Sequence, residues 1–176
     1  RRIRKQVKDK NPKDESGERP LHLAAEKGHY CVFKYIMDKT EDKNPKNSLG
    51  TTPLHLAADK GRVNVCQLIV KNTLEICPID EDGWTPLHYS AQKGHSVAHK
   101  MIMNMSKDKN PKNLDGFTPF HTAAENGHVE ICRMIMDVID DIFPKSKDKT
   151  TPFHLAAREG HNEVKNLIST YAASNC

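Results

Sequence analysis

The stretch that decides the fold is Thr51-Thr52-Pro53-Leu54-His55-Leu56-Ala57-Ala58. Related stretches occur four more times, and in each of them the proline stands 33 residues after the previous one. A fixed period of this length indicates a repeat architecture, and the repeat has to be recognised before any other feature of the chain is interpreted. The five prolines are Pro20, Pro53, Pro86, Pro119 and Pro152.

Within each unit the residue types predict two short helices. Thr52 suits an N-cap, and Pro53 suits the first helical position, where a missing N–H costs nothing. Gly61 suits the left-handed conformation that ends a helix, and Gly50 suits the β-turn of a hairpin. A second helix is expected to follow, with an apolar stripe formed by Val63, Val65, Leu68 and Ile69.

These motifs make the chain resemble ankyrin-repeat proteins, whose 33-residue period and T-P-L-H-x-A signature match the five stretches. The resemblance covers nearly all 176 residues. It implies an all-α fold, an α-solenoid of helix-turn-helix units with projecting β-hairpin loops. It also implies a non-catalytic scaffold that binds a protein partner, with no catalytic residue, metal or cofactor.

The period also sets the domain boundaries. Ile3 lies 33 residues before Ile36, so residues 1–13 are expected to be the tail of a truncated preceding repeat in a fragment of a longer array. Two second-helix positions become polar at Lys165 and Ser169, as a terminal repeat requires. The full repeats are expected at 14–46, 47–79, 80–112, 113–145 and, as a C-terminal cap, 146–176.

The composition argues against several classes of function. The net charge is only +4, which does not indicate a nucleic-acid binder, and no apolar run is long enough for a membrane span. Five cysteines without a C-x-x-C pair argue against a disulfide framework and against zinc. No signal peptide is apparent, and small, reduced thiols suit the cytoplasm or the nucleus, which is where we expect the protein. We also expect it to be a monomer.

Ten histidines invite a catalytic or metal-binding hypothesis, but nine of them recur at two repeat positions. A residue that recurs from unit to unit indicates a structural role in the repeat rather than a single functional site. Only His99 falls outside these positions. The signature histidines are His22, His55, His88, His121 and His154, and those that follow a glycine are His29, His95, His128 and His161.

The resemblance implies a contact surface made of the hairpin tips and the exposed face of the first helices. These positions vary between repeats while their neighbours repeat, so the fold does not dictate them. Trp84 and Phe117 share one position, and two interpretations stay open: a binding hot spot, or packing against the hairpin. The residues expected to contact a partner are Leu49, Asp59, Glu81, Asp82, Trp84, Gln92, Leu114, Asp115, Phe117, Glu125 and Asn126.

Charge adds a preference for the partner and two alternatives. The expected contact surface carries ten carboxylates against five cations, which favours a partner with a basic patch. A structural spacer within a longer array is one alternative. Anion or nucleic-acid binding is the other, along a lysine rim interrupted at Ile76 and Ile79. The rim comprises Lys10, Lys13, Lys43, Lys46, Lys109, Lys112 and Lys145.

One departure from the repeat concerns the last hairpin. Lys149 stands where the other four hairpins have glycine. Because non-glycine residues adopt positive φ reluctantly, this hairpin is expected to be weaker or differently shaped.

Overall fold

A computed structural model describes residues 9–174, which form ten helices and no β-strand. The first helices of the pairs are α1 (Pro20–Lys27), α3 (Pro53–Asp59), α5 (Pro86–Lys93), α7 (Pro119–Glu125) and α9 (Pro152–Arg158). The second helices are α2 (Tyr30–Met37), α4 (Val63–Asn72), α6 (Ser96–Met105), α8 (Val129–Met136) and α10 (Asn162–Ser174). The predicted all-α solenoid is confirmed, whereas the prediction made for Ile3 lies outside the described residues.

Each first helix begins and ends as its sequence predicts. Thr52 is extended, with φ −112° and ψ 165°, and Pro53 occupies the first helical position. Gly61 follows the end of α3 with φ +61°, and Gly94 ends α5 with φ +73°. The left-handed glycine reverses the chain within two or three residues, so the second helix of each pair packs against the first.

The pairs stack into two rows, one of first helices and one of second helices. Buried alanines such as Ala57 and Ala124 let neighbouring first helices approach closely. On the second helices, Val65 is 1% exposed but its counterpart Val32 is 52% exposed, because no described helix covers the N-terminal side of α2. Within residues 9–174, the core is therefore continuous from repeat to repeat.

Each repeat carries a hairpin tip, which is a tight turn just before its first helix. In the second repeat, the Asn47 N–H donates to the Thr51 carbonyl at 2.9 Å, and the Gly50 N–H donates to the Asn47 carbonyl at 3.1 Å. Backbone bonds also join neighbouring tips, because the Glu81 N–H donates to the Leu49 carbonyl at 3.0 Å. The same bond recurs between the other neighbouring tips, so the five tips form one row.

The last hairpin keeps the shape of the others, contrary to the expectation of a different shape. Lys149 adopts φ +66° and its N–H donates to the Ser146 carbonyl at 3.0 Å, as glycine does in the other turns. Asp148 supports the turn, since its carboxylate accepts from the Thr150 hydroxyl at 2.9 Å and from Ser146. The row of tips therefore continues through this hairpin at the cost of one strained residue.

Replacing Lys149 with glycine is expected to raise the free energy of unfolding by about 1 kcal/mol. The gain comes from relief of left-handed strain, reduced by the greater chain entropy of glycine. The converse change, Gly83→Ala, is expected to destabilise, because the added Cβ would lie 2.8 Å from the Leu114 backbone nitrogen. Urea unfolding of both variants beside the wild type measures the two effects, and a destabilised Lys149→Gly chain would contradict the strain argument.

Candidate partner-binding surface

The signature histidines bind each first helix to the hairpin of the next repeat. The Nδ1 atom of His55 accepts the Thr52 backbone N–H at 3.1 Å, and its Nε2 lies 3.0 Å from the Trp84 carbonyl oxygen. Because Nδ1 is an acceptor here, the ring proton is on Nε2, which donates to that carbonyl. His22, His88 and His121 make the same pair of bonds, so the histidines fix the backbone of the tips that follow them.

Burial keeps these rings neutral. It lowers the pKa of His55 and of His88 to about 4, since a buried imidazolium would lose its hydration. A charged ring would also place a proton on Nδ1, opposite the N–H that this atom accepts. The structural role predicted for the signature histidines agrees with this geometry.

The histidines that follow the helix-ending glycines make a second set of bonds between repeats. The Nε2 atom of His95 lies 2.9 Å from the Asp59 carbonyl oxygen, and that of His128 lies 3.1 Å from the Gln92 carbonyl oxygen. Arg62 takes the place of histidine in the second repeat and donates to the Glu26 carbonyl at 3.1 Å. These bonds hold the ends of the first helices, where several predicted contact residues lie.

The hairpin tips present the most accessible part of the predicted surface. Leu49 is 61% exposed and Leu114 is 57% exposed, although both are large and apolar. The carboxylates of Glu81, Asp82 and Asp115 are also exposed, and none forms an ion pair with any of the described residues. Bonds between the tips place the five residues side by side, so the structure brings this part of the prediction together.

Trp84 and Phe117 lie at the base of the tips and are half-buried. The Trp84 ring lies 5.4 Å from the ring of His88 and 5.9 Å, edge to face, from that of Tyr89. The Phe117 ring packs in the same way, 5.2 Å from that of His121. Packing therefore accounts for one part of each ring, and the other part remains accessible to a partner.

Three of the four predicted contact residues on the first helices already have side-chain partners within the chain. Asp59 pairs with Lys60 at 2.9 Å, and its side chain is only 14% exposed. Glu125 pairs with Arg158 at 2.8 Å, and the amide of Asn126 donates to the carbonyl of Thr122 at 2.9 Å. Gln92 is half-buried. The tips thus offer unpaired carboxylates, whereas the first helices offer groups that would have to exchange partners.

The lysine rim has a structural task that its sequence pattern did not reveal. The Lys109 ammonium donates to the Met103 and Ser106 carbonyls, both at 2.7 Å, at the end of α6. The Lys46 ammonium donates to the Ile79 carbonyl of the next repeat at 2.8 Å. These lysines satisfy carbonyls at helix ends and join neighbouring loops, in the position where cations complement the helix dipole.

One buried polar interaction in the third repeat was not predicted from the sequence. His99 is completely buried where the first, second and fourth repeats have Phe33, Cys66 and Cys132, and its Nδ1 lies 2.9 Å from the Ser90 hydroxyl. Its Nε2 has no partner, and burial lowers its pKa to about 4. The available signal was that Ser90 also replaces a small apolar residue, alanine, in this repeat alone.

No group of three or more histidine, cysteine, aspartate or glutamate side chains in residues 9–174 could hold a metal ion. Burial raises the pKa of the Cys66 and Cys132 thiols to about 12, which leaves them protonated and unreactive. No helix within the described range is long and apolar enough to cross a membrane.

The family model for ankyrin repeats, which describes three copies of the repeat, matches residues 3–80, 21–113, 72–148 and 99–176. The chain belongs to the ankyrin-repeat family. No curated protein matches it in a sequence comparison. Ankyrin repeats are generally protein–protein interaction modules, and proteins built from them are typically scaffolds without catalysis.

The neutral histidines predict acid sensitivity. Their pKa is lower in the folded chain than the usual 6.5, so the unfolded chain binds more protons between about pH 6.5 and pH 4. Stability is fully present above this window and is lost as the pH falls through it. Each such ring is expected to contribute a slope of roughly 1.4 kcal/mol per pH unit.

The double variant Ser90→Ala/His99→Cys tests one ring on its own. It installs the residues of the second and fourth repeats, removes the unpartnered Nε2 and leaves the histidines that join the repeats in place. We expect a higher melting temperature at pH 5 and a shallower dependence of stability on pH. Thermal melts across pH 4–7 measure both, and an unchanged slope would show that His99 does not titrate with unfolding.

Proposed function

We propose that this chain is a non-catalytic scaffold that binds a protein partner on the surface formed by its hairpin tips and first helices. The observation that carries the proposal is the row of exposed leucines and unpaired carboxylates along the tips. Leu49 and Leu114 offer apolar contact area, and Glu81, Asp82 and Asp115 surround them with negative charge. An apolar centre with a charged rim is the arrangement that protein interfaces use.

The partner we propose carries a basic patch. The exposed tip carboxylates attract lysine and arginine without first breaking an ion pair within the chain. Trp84 and Phe117 add aromatic area at the base of the tips, where a guanidinium group could stack on the accessible part of a ring. The first-helix residues Asp59 and Glu125 would contribute only after exchanging Lys60 and Arg158 for the partner's cations.

We further propose that the chain acts as a monomer in a reducing compartment, the cytoplasm or the nucleus. Buried thiols at Cys66 and Cys132, each in its own repeat, support this assignment because such thiols persist where disulfides are not formed. The exposed leucines at the tips do not support the alternative of a structural spacer. The lysine-rim alternative loses weight because Lys46 and Lys109 already bind backbone carbonyls.

Charge reversal at the tips tests the proposed surface. The variant Asp82→Lys/Asp115→Lys alters two exposed carboxylates whose side chains stabilise no turn, so folding should be unaffected. We expect a protein that cross-links to the wild type in a lysate to be lost with this variant and kept with Glu130→Lys, a control that makes the same charge change on the second helix α8. Equal capture by all three chains would contradict docking at the tips, and capture of nothing would favour the spacer.

The aromatic pair is tested separately, because packing and binding predict different results. We expect Trp84→Ala/Phe117→Ala to reduce capture of the same protein, and to lower the melting temperature because the rings also pack against His88 and His121. Binding is therefore compared at a temperature where circular dichroism shows both chains fully folded. Full capture by the folded variant would assign the rings to packing alone.

A further inference from the structure

Two aromatic side chains of the third repeat form an accessible corner beside the hairpin tip. The ring of Trp84 lies 5.9 Å from the ring of Tyr89, and the two ring planes meet at 81°. Both residues are half-buried, so part of each ring stays open to another molecule. The indole N–H of Trp84 forms no hydrogen bond with any of the described residues, so it can also donate to a partner. We call Trp84 and Tyr89 the aromatic corner.

Comparison with the other repeats shows that the fold does not require this pair of rings. The position of Tyr89 is Leu56 in the second repeat and Thr122 in the fourth. The position of Trp84 is Thr51 in the second repeat, and only the third repeat has an aromatic residue at both positions. Because the backbone is the same in all repeats, a pair found in one of them points to binding rather than to folding.

One carboxylate holds both members of the aromatic corner. Asp80 Oδ1 accepts the backbone N–H of Trp84 at 2.8 Å, and Asp80 Oδ2 accepts the hydroxyl of Tyr89, also at 2.8 Å. His55 Nε2 donates to the Trp84 carbonyl at 3.0 Å, so the Trp84 backbone is fixed on both sides. Because much of the corner is ordered before a partner arrives, less conformational entropy is lost on binding.

The charge around the aromatic corner is negative. Residues 79–93 contain three carboxylates, all in the tip just before Trp84, and one cation, Lys93 in the last turn of α5. The equivalent stretches of the two neighbouring repeats, residues 46–60 and 112–126, together contain three carboxylates and three lysines. The balance over the three repeats therefore favours a cationic group at the corner.

Two neutral imidazoles lie behind the aromatic corner. The ring of His55 lies 5.2 Å from that of Tyr89, and the ring of His88 lies 5.4 Å from that of Trp84. Burial lowers the pKa of both histidines to about 4, so at neutral pH neither carries a positive charge that would repel a cation.

We propose that the aromatic corner holds one arginine side chain of the protein partner. This inference rests on the proposed function, because it names the group that a basic partner would present to the tips. A planar guanidinium can stack on the Trp84 ring while its N–H groups donate to the unpaired carboxylate of Glu81 or Asp82. An ammonium group gains less, since it cannot stack and donate in one plane. A nucleic-acid base could also stack, but its phosphates would meet three carboxylates.

The test selects random displayed peptides on the complete chain. Each arginine of an enriched peptide is then replaced, one at a time, with lysine, trimethyllysine or citrulline, the uncharged isostere of arginine. Fluorescence anisotropy gives the affinities for the wild type and for three variants, Trp84→Thr, Tyr89→Leu and the control Tyr35→Leu, each shown to be folded by circular dichroism. The first two variants install residues that the second repeat carries at the same positions. Tyr35 is 59% exposed on α2, so its variant makes the same side-chain change away from the corner.

On the wild type and on Tyr35→Leu, we expect one arginine whose replacement by citrulline lowers the affinity at least about tenfold. On Trp84→Thr and Tyr89→Leu, this factor should shrink at least about threefold, because the guanidinium has lost part of the corner that it contacts. The emission of Trp84, the only tryptophan of the chain, should change when such a peptide binds to the wild type.

The proposal is overturned if the citrulline factor is the same on the wild type and on both corner variants, or if no enriched peptide contains arginine. It is also overturned if lysine or trimethyllysine binds as tightly as arginine, or if a single-stranded oligonucleotide displaces the peptides. The tip variant Asp82→Lys/Asp115→Lys separates this failure from failure of the proposed function. Peptides that lose affinity for the tip variant but not for the corner variants would remove the arginine site and keep the tips as the partner surface. Peptides that bind all variants equally would contradict both.

Discussion

A neutral imidazole that accepts one backbone hydrogen bond and donates another joins each repeat to the next. His55 and His88 make these two bonds with opposite ring nitrogens, so only one tautomer of the uncharged ring serves. Burial supplies that state by lowering the pKa of both rings to about 4. The stack, the spacing of its hairpins and the surface they present all depend on a ring whose Nδ1 carries no proton and whose Nε2 carries one.

Because these bonds fix the backbone, the fold does not dictate the exposed side chains at the tips. The row of tips can then carry leucines and carboxylates, and the loops after the second helices can carry lysines or aliphatic groups. The partner surface proposed on the tips can therefore differ from one repeat to the next without a change in the backbone.

Periodicity made most of the fold predictable, because a motif repeated five times shows which residues the backbone of each repeat requires. It could not reveal what a single repeat does alone. The pairing of Ser90 with His99 depends on contact between two helices, and Lys149 keeps a glycine turn because Asp148 and the neighbouring tip hold it. The tip residues were predictable as a group, whereas the ion pair that occupies Asp59 was not, since side-chain partners depend on rotamers.

The bonds between neighbouring repeats run in both directions. His55 donates forward to the Trp84 carbonyl, while the Glu81 N–H donates backward to the Leu49 carbonyl. Deletion of part of a repeat would leave hydrogen-bond donors and acceptors of both neighbouring repeats without partners. Deletion of one complete repeat would instead bring equivalent donors and acceptors of its two neighbours together. Such an array can change its length by duplication or loss of complete 33-residue units, and each new copy would bring a fresh pair of surface positions on which selection can act.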